Sequence, residues 1–248
     1  MLAEERFRII LETIAKKGAV SVTQLCETMD ISEATARRDL NTLARQGKLA
    51  KVHGGAVAID RQFESEEPSV AAKARLQVEE KDRIARYAAA QVHDDDLVFL
   101  DAGTTVLRMV EYLGKSKATF VTTGISCARR LVKKGLRAYV IGGLLKPGTE
   151  AIVGGAALDA MQNYNFTKAF IGTNGIAKEQ GLTTPDTEEA CIKAKAVEKA
   201  YMTYALADSS KFGKVAAVTI CGLDKVCILT DRLPDEAYRQ YAVIKEVE

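Results

Sequence analysis

Apolar residues first recur at helical spacing at Phe7, Ile10, Leu11 and Ile14. They stand at i, i+3, i+4 and i+7 and predict the buried face of a helix that Gly18 ends. Ser21 offers an N-cap for a short second helix carrying Leu25, Cys26 and Met29. After a tight turn at Asp30-Ile31, Ser32 caps a third helix that stops at Gly47. In this third helix Ala36, Leu40, Leu43 and Ala44 fall within ~100° of one another and form the buried stripe. Ala34, Thr35, Arg38, Asn41 and Arg45 then face outward, with Arg37 on the flank. Lys48 to Ile59 alternates loosely around Gly54-Gly55, the pattern of a short hairpin.

A polar stretch from Asp60 to Ser69, with four acids and one of the chain's four prolines, is the best linker candidate. Beyond it, strand-like and helix-like pieces alternate. Apolar strands are expected at Leu97–Leu100, Thr119–Thr122, Ala138–Ile141, Ala169–Ile171, Thr203–Ala207, Ala217–Ile220 and Val226–Leu229. Helical patterns lie between several of them, at 79–92, 105–113, 125–134, 154–163 and 187–200. Such alternation implies an α/β fold with a mostly parallel sheet covered on both faces. The expected organisation is a small helical domain over 1–58, a linker over 59–76 and a larger α/β domain over 77–248.

With 47% apolar and 27% charged residues the chain has the composition of an ordinary globular protein. It shows neither a membrane-spanning apolar run nor a signal peptide's apolar core, so a cytoplasmic location is expected. Five scattered cysteines without a CxxC pair suit reduced thiols, and two isolated histidines predict neither a metal site nor a cofactor. A net charge of +2 says little about partners. Between Arg37 and His53, however, Arg37, Arg38, Arg45, Lys48 and Lys51 face a single acid, Asp39. A compact basic strip on a nearly neutral chain suggests a nucleic-acid footprint.

The exposed face of the third helix has the chemistry of a major-groove reader. Arginine can bind guanine bidentately, asparagine can bind adenine, and alanine or the threonine methyl can meet the thymine methyl. Helix–turn–helix spacing from Val20 to Asp39 would place that helix in the groove, and the hairpin Lys48–Val57 could lie along the phosphates as a wing. Asp39 would be repelled by phosphate, so it is expected to orient the arginines or cap a neighbouring amide. An RNA-binding module would want exposed aromatics beside the basic strip, and none are there.

In the larger domain, Leu97-Val98-Phe99-Leu100-Asp101-Ala102-Gly103-Thr104-Thr105 reads as a strand running into a small-residue loop that opens a helix, a site suited to an anion. Asp101 is read as a ligand for a sugar hydroxyl or a tie on the loop. Three more clusters are expected at strand ends. They are Gly142-Gly143, Gly172-Thr173-Asn174-Gly175 with Gly181-Leu182-Thr183-Thr184, and Ala207-Asp208-Ser209-Ser210-Lys211-Phe212-Gly213. Ligands of open α/β sheets bind beyond the carboxyl ends of strands, so these loops together describe a polar pocket for a small polyol phosphate. An enzyme, such as a sugar-phosphate isomerase with an accessory DNA-binding domain, is the rival reading, with Glu188, Glu189 and Asp208 as carboxylates for general-base work.

The run Ser32-Glu33-Ala34-Thr35-Ala36-Arg37-Arg38-Asp39-Leu40, followed by Lys51-Val52-His53-Gly54-Gly55-Ala56, resembles the signature of the DeoR family of bacterial transcription regulators. In that family a Thr-x-Arg-Arg-Asp-Leu recognition helix precedes a His-Gly-Gly-Ala wing; Ala36 stands where a larger aliphatic is expected. The later segments resemble the family's effector domain, which is similar to the ribose-5-phosphate isomerase fold. There Asp101–Thr105 looks like the phosphate loop and Leu206–Lys211 like an Asp-x-Ser-Lys segment. Where an isomerase-like pattern would carry acids, this chain has Gly172-Thr173-Asn174-Gly175. That loop, followed by Thr183–Ala190, looks most like the fructose-operon repressors, which implies fructose 1-phosphate as effector. The resemblance implies a winged helix–turn–helix repressor, a dimer or tetramer on double-stranded operator DNA, and no catalytic residues. The residues expected on DNA are Ser32, Thr35, Arg37, Arg38, Asn41, Lys51 and His53. Those expected on the effector are Asp101, Gly103, Thr104, Thr105, Thr122, Gly143, Asn174, Glu188 and Lys211.

Overall fold

The computed structural model describes residues 3–248 apart from Gly18, Gly47, His53, 58–62 and 65–68. The chain divides into two units, Met1–Arg61 and Gln62–Glu248. The first holds α1 (Ala3–Lys17), β1 (Ala19–Ser21), α2 (Val22–Met29), α3 (Glu33–Arg45), β2 (Ala50–Val52) and β3 (Gly55–Val57). Ser21 caps α2 in a full capping box, its hydroxyl accepting from the Gln24 amide while the Gln24 side chain takes the Ser21 amide. Asp30 turns the chain in the left-handed region at φ 50°, and Ser32 caps α3 through the Thr35 amide. Gly18 and Gly47, the expected helix ends, lie outside the described residues; α3 ends at Arg45.

The three short strands pair antiparallel in the order β1-β3-β2. A Cβ on Gly55 would lie 2.2 Å from the Val20 carbonyl oxygen, so β1 and β3 approach this closely only over a glycine. Ile10, Ile14, Val20, Leu25, Met29, Ala36, Leu40 and Leu43 fill the core. Ala44 is half-buried, and Asp39 joins the buried side of α3 in its place.

The second unit begins with β4 (Phe63–Glu64), α4 (Val70–Ala74), α5 (Val78–Ala89), β5 (Leu97–Leu100), α6 (Thr104–Tyr112), β6 (Thr119–Thr122), α7 (Ile125–Lys133) and β7 (Arg137–Val140). It continues through β8 (Leu144–Leu145), β9 (Ile152–Val153), α8 (Gly155–Met161), β10 (Phe166–Gly172), β11 (Gly175–Ala177), β12 (Gly181–Thr184) and α9 (Thr187–Lys199). It ends with β13 (Ala200–Leu206), β14 (Val215–Ala216), β15 (Val218–Cys221), β16 (Cys227–Thr230) and β17 (Val243–Glu246). Seven strands form one parallel sheet in the order β17-β16-β13-β10-β5-β6-β7.

Alternate residues of this sheet feed two cores. Phe99, Val121, Ala169, Ile171, Ala205 and Ile228 face α8 and α9, and Val98, Leu100, Phe120, Phe170, Leu206 and Leu229 face α5, α6 and α7. Burial on both faces explains the nearly unbroken apolar runs of its strands.

The expected strand Ala217–Ile220 forms as β15 but joins a small antiparallel sheet, β11-β12-β15. Gly181–Thr184, expected as a loop after a strand, is itself the middle strand of that sheet. The stretch 59–76, expected as a linker, carries two elements of the second unit. β4 runs parallel to β14, and α4 is capped by Ser69 and tied by the Val70 amide to the Gly148 carbonyl at 3.1 Å. Their partners lie far along the chain, which is why polar local composition hides them. No helix among the described residues is long and apolar enough to cross a membrane.

Candidate functional site

On α3, Ser32, Ala34, Arg37, Arg38, Asn41 and Arg45 are exposed and Thr35 is half-exposed, so the face read from the sequence is presented to solvent. Ser32 uses its hydroxyl on the helix cap and lies 3.0 Å from the Thr35 hydroxyl. Arg37 pairs with Glu33 at 3.1 Å on the surface, where such a pair holds a side chain only weakly. Lys51, from β2, donates its ammonium to Asn41 Oδ1 at 2.6 Å, which joins wing and helix in one polar surface. His53 lies outside the described residues. Asp39 orients neither neighbouring arginine. It is buried and receives Arg6 of α1 at 2.6 and 3.0 Å, tying α1 to the exposed helix.

In the second unit the strand order reverses between β5 and β10, and a crevice opens beyond the carboxyl ends of strands at such a point. A cavity of about 450 Å³ lies there. Gly103, the N-cap of α6, has no side chain to accept from the first-turn amides, and these remain for an anion. Gly103, Thr104 and Thr105 line the cavity. So do six cationic residues (Lys73, Arg75, Lys81, Lys193, Lys211 and Lys214) against three carboxylates (Asp101, Glu189 and Asp208).

Each of those carboxylates is engaged. Asp101 accepts from the Gly172 amide at 2.9 Å and from buried Lys193, so it is a tie on the loop rather than an open ligand. Beneath it the Cys127 thiol donates to the Asp101 carbonyl; burial, helped by the Asp101 charge, pushes that thiol up to about 12. Glu189 meets Lys146 at 3.1 Å, and Asp208 takes the Ser210 amide and hydroxyl. Lys81 is buried and donates to the carbonyls of Lys73 at 2.5 Å and Leu76 at 2.8 Å. Burial pushes its pKa down, and the nearby Asp208 only partly opposes this. Two buried polar atoms of residues lining the cavity, Asn174 Nδ2 and Thr149 Oγ1, have no partner among the described residues.

The cavity therefore gathers Asp101, Gly103, Thr104, Thr105, Asn174 and Lys211, and three expected residues lie off it. Thr122 is fully buried, with its hydroxyl donating to the Leu100 carbonyl at 2.6 Å and accepting from the Gly124 amide. Gly143 packs beside Ile152 and Val153 of β9. Glu188 points to solvent, because the 100° step of a helix turns Glu189 inward instead. Glu189, read from the sequence only as a carboxylate for general-base work, lines the cavity, and Lys73, Arg75, Lys81, Thr149, Lys193 and Lys214 escaped the sequence reading. A signal existed for two of them. Lys81 is in phase with the stripe Ile84, Ala85 and Ala88, and Lys193 with Glu189 and Ala196. Among the described residues no three His, Cys, Asp or Glu side chains gather as a metal ion would need.

The DeoR-like helix-turn-helix domain family matches residues 6–62, and the DeoR C terminal sensor domain family matches residues 76–232. An uncharacterized HTH-type transcriptional regulator of Bacillus subtilis, FruR, is 39% identical over 253 residues, covering 100% of both chains. The HTH-type transcriptional repressor GlcR of the same organism is 33% identical over 242 residues, 96% of this chain and 92% of that one. The lactose phosphotransferase system repressor of Staphylococcus epidermidis is 33% identical over 231 residues, 92% and 91% of the two chains. Among solved structures, ribose 5-phosphate isomerase from Methanocaldococcus jannaschii aligns with a TM-score of 0.40 at 16% identity, covering 53% of each chain.

Proposed function

Since this chain belongs to the DeoR family of transcriptional regulators, we propose that it represses a sugar catabolism or uptake operon and leaves its operator when a sugar phosphate binds. The effector in this reading is fructose 1-phosphate. The chain is a regulator and not an enzyme, in line with the names of its relatives. The chemistry of the cavity agrees with that, since a general base needs an available carboxylate and all three here are engaged.

The observation that carries the effector reading is the division of labour around the cavity. An excess of three positive charges and the α6 N-terminus suit a phosphate, while Asn174 Nδ2 and Thr149 Oγ1 suit the hydroxyls of a polyol. The reader of the DNA in this proposal is the α3 face with Ser32, Thr35, Arg37, Arg38 and Asn41, beside Lys51 of β2, with His53 added on the sequence reading alone. Such readers act as symmetric pairs on two half-sites, so a homodimer or a tetramer is the form on DNA.

Titrating fructose 1-phosphate, other sugar phosphates and inorganic phosphate into the protein–operator complex tests this. Release at the lowest concentration by fructose 1-phosphate is expected, and a complex indifferent to every sugar phosphate would overturn the reading. Lys211→Ala should bind operator normally yet need ~10- to 150-fold more effector for release, the worth of one charged hydrogen bond. Release at the wild-type concentration would remove Lys211 from the site.

A further inference from the structure

One wall of the cavity is the segment through which the chain arrives from the DNA-binding unit. Val70, Lys73, Arg75, Leu76 and Gln77 all line it. Apolar burial holds this segment poorly, because Leu76 is 58% exposed. It is fastened by named bonds instead. The Val70 amide donates to the Gly148 carbonyl, and the Lys81 ammonium donates to the carbonyls of Lys73 and Leu76. Each fastening belongs to the cavity as well: Lys81 lines it, and so does Thr149, the residue after Gly148.

We propose that Ser69–Gln77 is a strap whose fastening by Lys81 and Gly148 reports the occupancy of the cavity to the DNA-binding unit. The inference rests on the effector reading above for the identity of the ligand, but the fastening itself does not. An anion in the cavity offers Lys81 charged oxygens, and an ammonium–anion pair adds a Coulomb attraction that an ammonium–carbonyl bond lacks. Lys81 turns from the strap to the ligand, and the carbonyls of Lys73 and Leu76 lose this donor. A ligand shifts an equilibrium only through its different affinity for the two states. Here the two states are strap fastened, which holds operator, and strap released, which lets go.

Two variants of the full chain release the strap without any ligand. Lys81→Met removes the ammonium and keeps the length of the side chain. Val70→Pro removes only the amide that reaches Gly148. Position 70 is the first residue of α4, where proline is well tolerated, and Ser69 already has the extended backbone (φ −56°, ψ 154°) that a following proline demands. Hydrogen exchange over residues 69–77 and affinity for an operator selected from random duplexes with the wild-type protein are the measurements. Both variants should exchange faster there, bind that operator at least ~10-fold more weakly in the absence of ligand, and respond less to added fructose 1-phosphate. Should Lys81→Met fail to fold, Val70→Pro decides alone. Faster exchange with unchanged or tighter operator binding overturns the proposal, as does unchanged exchange. Calorimetry that finds no sugar phosphate bound to the wild-type protein overturns the effector reading instead, and the ligand-free comparison still decides the strap.

Discussion

Thr149 and Asn174 each hold a buried polar atom without a partner among the described residues, and at Thr149 the consequence has an unusual sign. Thr149→Val keeps the shape of the side chain and deletes a hydroxyl whose unpaired burial costs ~1–3 kcal/mol. The variant should melt at the wild-type temperature or above it and bind sugar phosphate up to ~10-fold more weakly. Thermal denaturation together with calorimetry checks both halves. Lower stability at unchanged affinity would give the hydroxyl a structural role. At this scale the candidate site was legible on the strand-end loops that carry Asp101, Asn174 and Lys211, because glycine and hydroxyl clusters mark those loops. It was not read inside the helices α5 and α9, where Lys81 and Lys193 share the phase of the buried stripe. Hydropathy assigns every lysine to solvent, and only tertiary packing brings Lys81 and Lys193 inside. Burial of α9 on several sides leaves no clean apolar face to show that Glu189, not Glu188, turns inward.

Among the elements, α3 is positioned by its buried pair with Arg6 of α1 as well as by its apolar stripe. Asp39→Ala leaves the Arg6 guanidinium, largely covered, without its carboxylate, and unpairing one member of a covered ion pair is strongly destabilising. The winged unit should lose several degrees of melting temperature, and operator affinity should fall although position 39 lies on the buried side of α3. Arg6→Met combined with Asp39→Leu should recover much of the stability. Circular dichroism melts and DNA titrations of the single and double variants measure this, and additive losses would sink the idea of a coupled pair. The helices of this unit were legible because their signals are local, as the serine caps at 21 and 32 illustrate. β1, β4 and α4 were not, since elements of 2–5 residues are too short to show a period and exist only through distant partners. The edge strand β17 was missed for a related reason. Its exposed positions, such as Val243, blur the apolar run that marks the inner strands.

For the molecule as a whole, acid should weaken the second unit first where Asp96 joins the starts of β5 and β10. Burial alone would raise the pKa of this carboxyl. Lys168, the His93 amide and the Thr167 hydroxyl outweigh burial and hold it below the usual range. A carboxyl depressed in the folded state contributes stability above its unfolded value, ~3.9, and loses it as pH falls through the folded value. Melting temperature should therefore be flat from neutrality to about pH 5 and drop below about pH 4, and Asp96→Asn should flatten that drop. Melts across this range test it, and an unaltered slope in the variant would assign the acid sensitivity elsewhere. The parallel sheet that Asp96 helps to clamp also sets an order of manufacture. Its central pair lays Val98 beside Lys168, and β13 adds the next neighbour only at Ala200–Leu206, whereas among the described residues the core of the first unit ends at Ala56. On a ribosome adding ~5–20 residues per second, the first unit is complete for ~8–30 s before the sheet of the second can take in β13. Under the proposed function, a message broken inside the second unit thus yields a product that keeps its helix–turn–helix unit and lacks the cavity through which it would be told to let go.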